Sequence, residues 1–115
     1  MNEGESMYVD PFIIRSLNRS ELRKKILFYL DSIYPSPAYL SEIARAIGSD
    51  PANVKGALVG LGNRYSEDSS LVNLGLVEII EKEGFKHYAL TNYGRNVVKL
   101  LKSYHPYYTL FRPGG

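Results

Sequence analysis

The segment from Gly48 to Pro51 constrains the fold of this chain more than any other. Gly48 suits the left-handed cap that ends one helix. Ser49 or Asp50 can cap the helix that follows, and Pro51 is tolerated in its first turn. Apolar residues at helical spacing flank this corner: Leu40, Ile43, Ala44 and Ile47 before it, and Val54, Leu58 and Leu61 after it. The pattern predicts two short helices joined by a tight turn, a helix-turn-helix, with the second helix over Pro51 to Arg64.

Another helix is predicted before the corner. Asn18 and Glu21 have the spacing of a capping box. One helical face then carries Leu22, Ile26, Leu27, Leu30 and Ile33, and Tyr34-Pro35-Ser36-Pro37 ends the helix. The polar side of this helix carries the basic residues Arg19, Arg23, Lys24 and Lys25. We interpret it as a solvated face in preference to a phosphate-binding patch.

A hairpin and a last helix are predicted after the corner. Residues 76–80 and 85–90 are strand-like, and residues 81–84 form a short connection that contains glycine. Thr91 begins a helix with a broad apolar face made of Tyr93, Val97, Val98, Leu100, Leu101 and Tyr104. The predicted fold class is α+β, mainly α with a small β-hairpin, and the hairpin is the candidate wing of a winged helix-turn-helix.

Composition limits the size and class of the protein. A chain of 115 residues fits one domain, residues 1–115, with a core module over about residues 18–103. The net charge of +2 permits an anionic partner without requiring one. The absence of cysteine excludes disulfides and thiolate sites, and no apolar run has the length of a membrane span. We therefore expect a cytoplasmic protein without a membrane segment.

Both ends of the chain are rich in aromatic residues. Residues 8–15 are too apolar for a solvated tail, although Pro11 is expected to interrupt any helix there. The aromatic residues outside the core module are Tyr8, Phe12, Tyr104, Tyr107, Tyr108 and Phe111. They can pack against each other within one subunit or form a twofold interface, and we favour the homodimer interface.

The segments Tyr39 to Gly48 and Ser49 to Leu58 resemble the winged helix-turn-helix regulators of the MarR and ArsR type, in the style of a small archaeal branch. Residues 71–77 before the hairpin and 88–94 after it are also similar to that pattern, so the resemblance spans Leu22 to Leu101. It implies that the helix after the corner lies in the DNA major groove, that the wing touches phosphates or the minor groove, and that the outer helices dimerise.

Candidate DNA contacts follow from the face of the third helix opposite its apolar stripe. Asn can pair with adenine, and Lys and Arg with guanine or phosphates, so the candidates there are Asn53, Lys55, Gly56, Gly60, Asn63 and Arg64. The two glycines either allow close approach of DNA or another helix, or belong to a poorly optimised helix. Lys82, Lys86 and His87 are candidate phosphate contacts in the wing, although Glu81 and Glu83 oppose them.

These features together predict a sequence-specific, double-stranded DNA-binding transcriptional regulator that forms a homodimer. The alternative is a protein-protein interaction module on a winged-helix scaffold, which the modest net charge and the few charges of the third helix favour. We expect no enzyme, no cofactor and no metal site, since the two histidines, His87 and His105, lack a second ligand at a suitable spacing. A small-molecule effector cannot be identified from the sequence.

Overall fold

The computed structural model describes residues 8–63 and 68–103, together with the backbone of Tyr104. This part of the chain contains five helices and one two-stranded antiparallel hairpin, which confirms the predicted fold class. In chain order the elements are α1 (Pro11–Asn18), α2 (Glu21–Ile33), α3 (Leu40–Ile47), α4 (Pro51–Val59), β1 (Val77–Lys82), β2 (Phe85–Leu90) and α5 (Asn92–Tyr104).

One core joins these elements. The helix α2 contacts α1, α3, α4, α5 and β2, so it is the centre of the fold. The middle of its predicted apolar stripe, Ile26, Leu27 and Leu30, is fully buried, and Leu22 and Ile33 at its two ends are partly buried. The largest fully buried side chains are Leu17, Ile26, Leu27, Leu30, Ile43, Leu58, Leu71, Leu76, Leu101, Val54, Val77 and Val97. Since they come from both sides of the helix-turn-helix corner, the core holds that corner in place.

The N-terminal segment is a helix, so the prediction that Pro11 interrupts one was wrong. Pro11 is the first residue of α1, where its missing N–H costs no helical hydrogen bond. The Asp10 carboxylate caps the helix by accepting a hydrogen bond from the Phe12 backbone N–H at 2.9 Å. Ile14 and Leu17 are buried against the rest of the core. Proline at this position therefore starts a helix that the sequence pattern had excluded.

The helix α2 begins two residues later than the predicted capping box implied. Ser20, rather than Asn18, caps it, because the Ser20 hydroxyl accepts a hydrogen bond from the Arg23 backbone N–H at 3.2 Å. Asn18 instead is the last residue of α1. The basic face of α2 is also less solvated than predicted: Lys24 is only 3% exposed, with its Nζ 3.1 Å from a carboxylate oxygen of Glu21.

The hairpin is longer and its turn tighter than predicted. The strand β1 extends to Lys82, so the connection is the pair Glu83 and Gly84 rather than four residues. Ala38, just before α3, also forms an antiparallel bridge with Tyr88 of β2. The Ala38 N–H donates to the Tyr88 carbonyl at 2.9 Å, and the Tyr88 N–H donates to the Ala38 carbonyl at 2.8 Å. This bridge fixes the hairpin relative to the start of α3.

The start of α5 is joined to the strand before it by a compact set of hydrogen bonds. The Thr91 hydroxyl donates to the Gly75 carbonyl at 2.7 Å and accepts from the Gly94 backbone N–H at 2.9 Å, which caps the helix as predicted. The Thr91 N–H donates to the Leu76 carbonyl at 3.1 Å. Farther along, Arg95 and Lys102 of α5 form ion pairs with Asp31 of α2. The helix α5 is thereby fixed against both the hairpin and α2.

Candidate nucleic-acid interface

The corner between α3 and α4 has the backbone geometry that its sequence predicts. Gly48 has φ 67° and ψ 41°, the left-handed conformation in which glycine has no steric penalty. The Ser49 N–H donates to the Ala44 carbonyl at 3.0 Å, which satisfies the end of α3. Asp50, not Ser49, caps α4, because its carboxylate accepts from the Ala52 N–H at 3.2 Å. The turn of residues 48–50 and its hydrogen bonds thereby set the orientation of α4 relative to α3.

The helix α4 buries one side and exposes the other. Val54 and Leu58 are fully buried, as the apolar spacing predicted. Ala52, Asn53 and Lys55 are exposed in the first two turns. Since α4 contacts α2 and α3 through its buried side, these three residues lie on the outer surface of the corner. Asn53 and Lys55 are therefore available to a ligand of the kind that the sequence predicted.

The helix α4 is shorter than predicted, which changes the position of several candidate residues. It ends at Val59, because Gly60 has φ 97° and ψ 171°, outside the helical region. Gly60 thus ends the helix and does not lie on an exposed helical face. Leu61, assigned to the buried stripe, is 73% exposed. Asn63 is exposed beyond the helix, and Arg64 lies outside the described residues.

Gly56 remains in α4, but the space beside it is occupied. A Cβ atom built on Gly56 would lie 2.8 Å from Cδ2 of Leu61. The side chain of Leu61 therefore covers Gly56. Because Leu61 is mostly exposed and flexible, it can turn away from an added methyl group.

Gly56→Ala is therefore expected to raise the free energy of unfolding by about 0.5–1 kcal/mol, the gain in helix propensity. Urea denaturation measures the change. If DNA binds as proposed below, the affinity of this variant should equal that of the wild type. A clear loss of affinity would show instead that the DNA backbone approaches Gly56 closely.

A groove of about 340 Å³ runs along α4 beside Asn53. It is lined by Ser20, Leu22, Arg23, Asn53, Gly56, Ala57, Leu61 and Ser69. Arg23 forms a fixed part of the wall, since its guanidinium donates to the Ser69 carbonyl and to the Ser16 hydroxyl, the latter at 2.9 Å. This arginine ties α1 to the segment that follows α4, a structural role that its position among basic residues did not reveal.

The hairpin presents its three predicted phosphate contacts unequally. Lys82 and Lys86 are exposed. His87 is half-buried, with its ring centroid 4.1 Å from that of Tyr39. Among the described residues, the buried Nδ1 of His87 has no hydrogen-bond partner. His87 therefore packs against Tyr39 in the middle of β2 and is less exposed than the two lysines.

An exposed aromatic group on the hairpin was missed at the sequence level. The Phe85 side chain is 62% exposed, and its ring meets that of Tyr39 edge-on at a centroid distance of 6.4 Å. Ile80, paired with His87 across the hairpin, is exposed on the same face. Because side chains alternate between the two faces of a strand, Phe85 and His87 lie on the same face of β2. Their contacts with Tyr39 depend on the bridge at Ala38, which has no sequence signal.

The candidate dimer residues are described only in part. Tyr8 and Phe12 are 77% and 72% exposed, so neither is buried by the described residues. Tyr104 lies at the end of α5, but its side chain is outside the described part, as are Tyr107, Tyr108 and Phe111. The exposure of the first two leaves an apolar surface on α1 and the residues before it.

Neither a metal-binding cluster nor a membrane-spanning helix is found within the described residues. No group of three His, Asp or Glu side chains within residues 8–63 and 68–103 is placed to hold a metal ion. In the same part of the chain, no helix combines the length and apolar character needed to cross a membrane.

Comparison with known proteins identifies the family. Residues 13–101, which run from α1 into α5, match the family described as EarA-like. The chain belongs to the EarA-like family. An uncharacterized protein of Methanocaldococcus jannaschii is similar to it, with 55% identity over 95 residues that cover 83% of this chain and 86% of the relative. The EarA-like match includes both the corner and the hairpin, whereas the assignment to the MarR and ArsR type stays a prediction.

Proposed function

We propose that this EarA-like protein is a sequence-specific, double-stranded DNA-binding transcriptional regulator of the cytoplasm, in which α4 enters the major groove. The observation that carries the proposal is the outer surface of α4, where Ala52, Asn53 and Lys55 project from a rigid helix-turn-helix corner. In helix-turn-helix proteins the N-terminal residues of the second helix contact base edges. The exposed residues of α4 are in its first two turns, which agrees with that mode of binding.

The chemistry of these side chains suits a reader of bases. An Asn amide can form a bidentate pair with adenine, in which its NH2 group donates to N7 and its oxygen accepts from the N6 amino group, and a Lys can contact guanine or phosphates. Ala52 is small and apolar, as a contact with a thymine methyl group requires. An α-helix with its side chains has a diameter of about 10–12 Å, which fits the major groove width of about 12 Å.

The homodimer is part of the proposal. Tyr8 and Phe12 are large, exposed aromatic side chains on the same end of the molecule, and burial in a twofold interface would remove them from water. A twofold dimer matches a palindromic site with half-sites roughly 34–36 Å apart. A monomeric mass in sedimentation equilibrium at micromolar concentration would contradict this part of the proposal.

A matched pair of lysine variants tests the position of α4. Lys55→Ala removes an exposed charge from α4, and Lys99→Ala removes one from α5, which packs on α1, α2 and β2. Because a lysine that neutralises a phosphate releases a counterion, Lys55→Ala is expected to weaken duplex binding and to reduce the salt slope by about 1. Lys99→Ala should change neither.

Fluorescence anisotropy with a labelled random duplex measures both variants. Equal affinities for Lys55→Ala and the wild type, with a loss for Lys99→Ala, would place the DNA on the α5 side and contradict the assignment of α4.

A protein-interaction module is the second candidate function. It is favoured by the exposed apolar side chains of the hairpin region, which are Tyr39, Ile79, Ile80 and Phe85. A protein of this class would bind a partner through these residues and would have no affinity for duplex DNA at low salt. The same titration therefore separates the two functions.

A further inference from the structure

The hairpin ends in a tight turn of two residues. Glu83 and Gly84 have φ angles of 53° and 81°, so the turn consists of two residues in left-handed conformations, the type that matches the twist of two paired strands. Lys82 and Phe85 form the last pair of the ladder on either side of this turn. The side chain of Phe85 is thus fixed to the end of the hairpin.

The ring of Phe85 contacts Tyr39 but stays largely exposed to solvent. The edge-on contact with Tyr39 supports its ring from one side, while 62% of its surface stays exposed. Exposure of a phenylalanine at a loop tip is unfavourable by itself, since removal of its apolar surface from water is favourable. A partner that buries the ring recovers that free energy.

Charges around the tip are balanced. Lys82 and Lys86 are positive, and Glu81 and Glu83 are negative, with Glu81 directly opposite Lys86 in the ladder. The hairpin tip therefore offers little net attraction to phosphates, contrary to a simple phosphate contact by the two lysines. What distinguishes it is the apolar ring of Phe85 at its end, with Lys82 directly opposite on the neighbouring strand.

We propose, on the basis of the function proposed above, that Phe85 is a wedge that enters the minor groove and bends the DNA. Proteins that bind the minor groove insert apolar side chains, phenylalanine among them, between base pairs and kink the duplex. Lys82, the ladder partner of Phe85, lies on the same face of the hairpin as the ring, whereas Lys86, the next residue of β2, lies on the opposite face. Glu83 limits the electrostatic gain, so the insertion of the ring is the main contribution of the hairpin.

A consequence is that the hairpin reads the shape of DNA rather than its base edges. Unstacking is easiest at pyrimidine–purine steps, which are the most flexible. With α4 in the major groove, a flexible step at the position of Phe85 lowers the cost of bending. Sequence preference then arises at a position that receives no hydrogen bond from the protein.

DNA bending tests this inference in the full chain. A duplex labelled at both ends reports the bend by energy transfer, and 2-aminopurine at successive positions reports unstacking by increased fluorescence. The variants are Phe85→Ala, which removes the wedge, and Phe85→Leu, which keeps an apolar side chain able to insert. Ile80→Ala is the matched control, because it removes an exposed apolar side chain from the same face of the hairpin as Phe85. Ile80 lies farther from the turn, in the third pair of the ladder, whereas Phe85 lies in the first.

The wild type, Phe85→Leu and Ile80→Ala are expected to bend the duplex, whereas Phe85→Ala leaves it nearly straight and binds about tenfold more weakly. A straight complex with the wild type, or an equal bend with Phe85→Ala, would overturn the wedge and favour a protein partner at the tip. Absence of any binding by the wild type at low salt would instead overturn the proposed function, and the wedge with it.

Discussion

Gly94→Ala is expected to lower the free energy of unfolding by about 3 kcal/mol, the upper part of the range for overpacking in a well-packed interior. Gly94 is buried near the start of α5. A Cβ atom at this position would overlap the carbonyl oxygen of Leu76 and would lie 2.8 Å from Cδ1 of Leu90. The added methyl group therefore meets backbone that has to move.

The carbonyl of Leu76 is poorly able to move. It accepts a hydrogen bond from the Thr91 N–H, and the neighbouring Gly75 carbonyl accepts one from the Thr91 hydroxyl. A shift of α5 away from Leu76 would strain both bonds and the packing of Val97 and Leu101 in the core. The gain in helix propensity, about 1 kcal/mol at most, does not offset these losses.

Gly56→Ala is the matched control, because the chemical change is the same and the nearest atom belongs to a flexible, exposed side chain. Urea denaturation of the three proteins should give the order Gly56→Ala, wild type, Gly94→Ala from most to least stable. Equal stability of Gly94→Ala and the wild type would contradict the close contact between α5 and the segment before β1.

Asn53→Ala is expected to weaken binding to the preferred DNA sequence by roughly 5- to 150-fold, which corresponds to about 1–3 kcal/mol for one bidentate contact with a base. Asn53 is exposed at the third position of α4, beside the groove that contains Arg23. Affinity for random duplex should change little, because the contact is with a base edge and not with a phosphate.

Asn63→Ala is the control for this prediction. Both asparagines were candidate base contacts at the sequence level, but α4 ends at Val59 and leaves Asn63 outside the helix. Selection of bound duplexes from a random pool would give the preferred sequence, and anisotropy titrations with it would compare the two variants. A larger loss with Asn63→Ala than with Asn53→Ala would mean that the segment after α4, and not α4 itself, reads the bases.

Much of the fold was predictable because it depends on local signals. Apolar periodicity identified the buried stripes of α2 and α4, and Gly48, Asp50 and Thr91 each carry the local chemistry of a helix end. These features need no knowledge of distant contacts. Prediction therefore succeeded at the corner and at the beginning of α5.

The errors have particular physical causes. Proline both starts and interrupts helices, and only the packing of Ile14 and Leu17 shows that Pro11 starts one. The early end of α4 depends on the conformation of Gly60, whose φ of 97° is readily adopted by glycine, although glycine also tolerates the helical backbone that the pattern predicted. Leu61 fits the helical spacing only if the helix continues, so its predicted burial failed together with the helix.

The candidate site was predictable in position but not in character. Asn53 and Lys55 followed from the face of α4 opposite Val54 and Leu58. The exposed ring of Phe85 did not, because strand alternation gives a side and not a degree of exposure. The contact between His87 and Tyr39 joins residues far apart in sequence and depends on the bridge between Ala38 and Tyr88. Such long-range pairing has no signal in a single sequence.

The salt dependence of binding to a random DNA duplex tests the proposed function most directly. A protein that places Lys55 near a phosphate releases a counterion, so the logarithm of the binding constant should fall linearly with the logarithm of salt concentration, with a slope of about −0.9 for each phosphate neutralised. We expect measurable binding at low salt and a slope of roughly −1.8 or steeper for the two Lys55 contacts of the proposed homodimer. No binding of the full chain to duplex DNA at low salt would contradict a DNA-binding function.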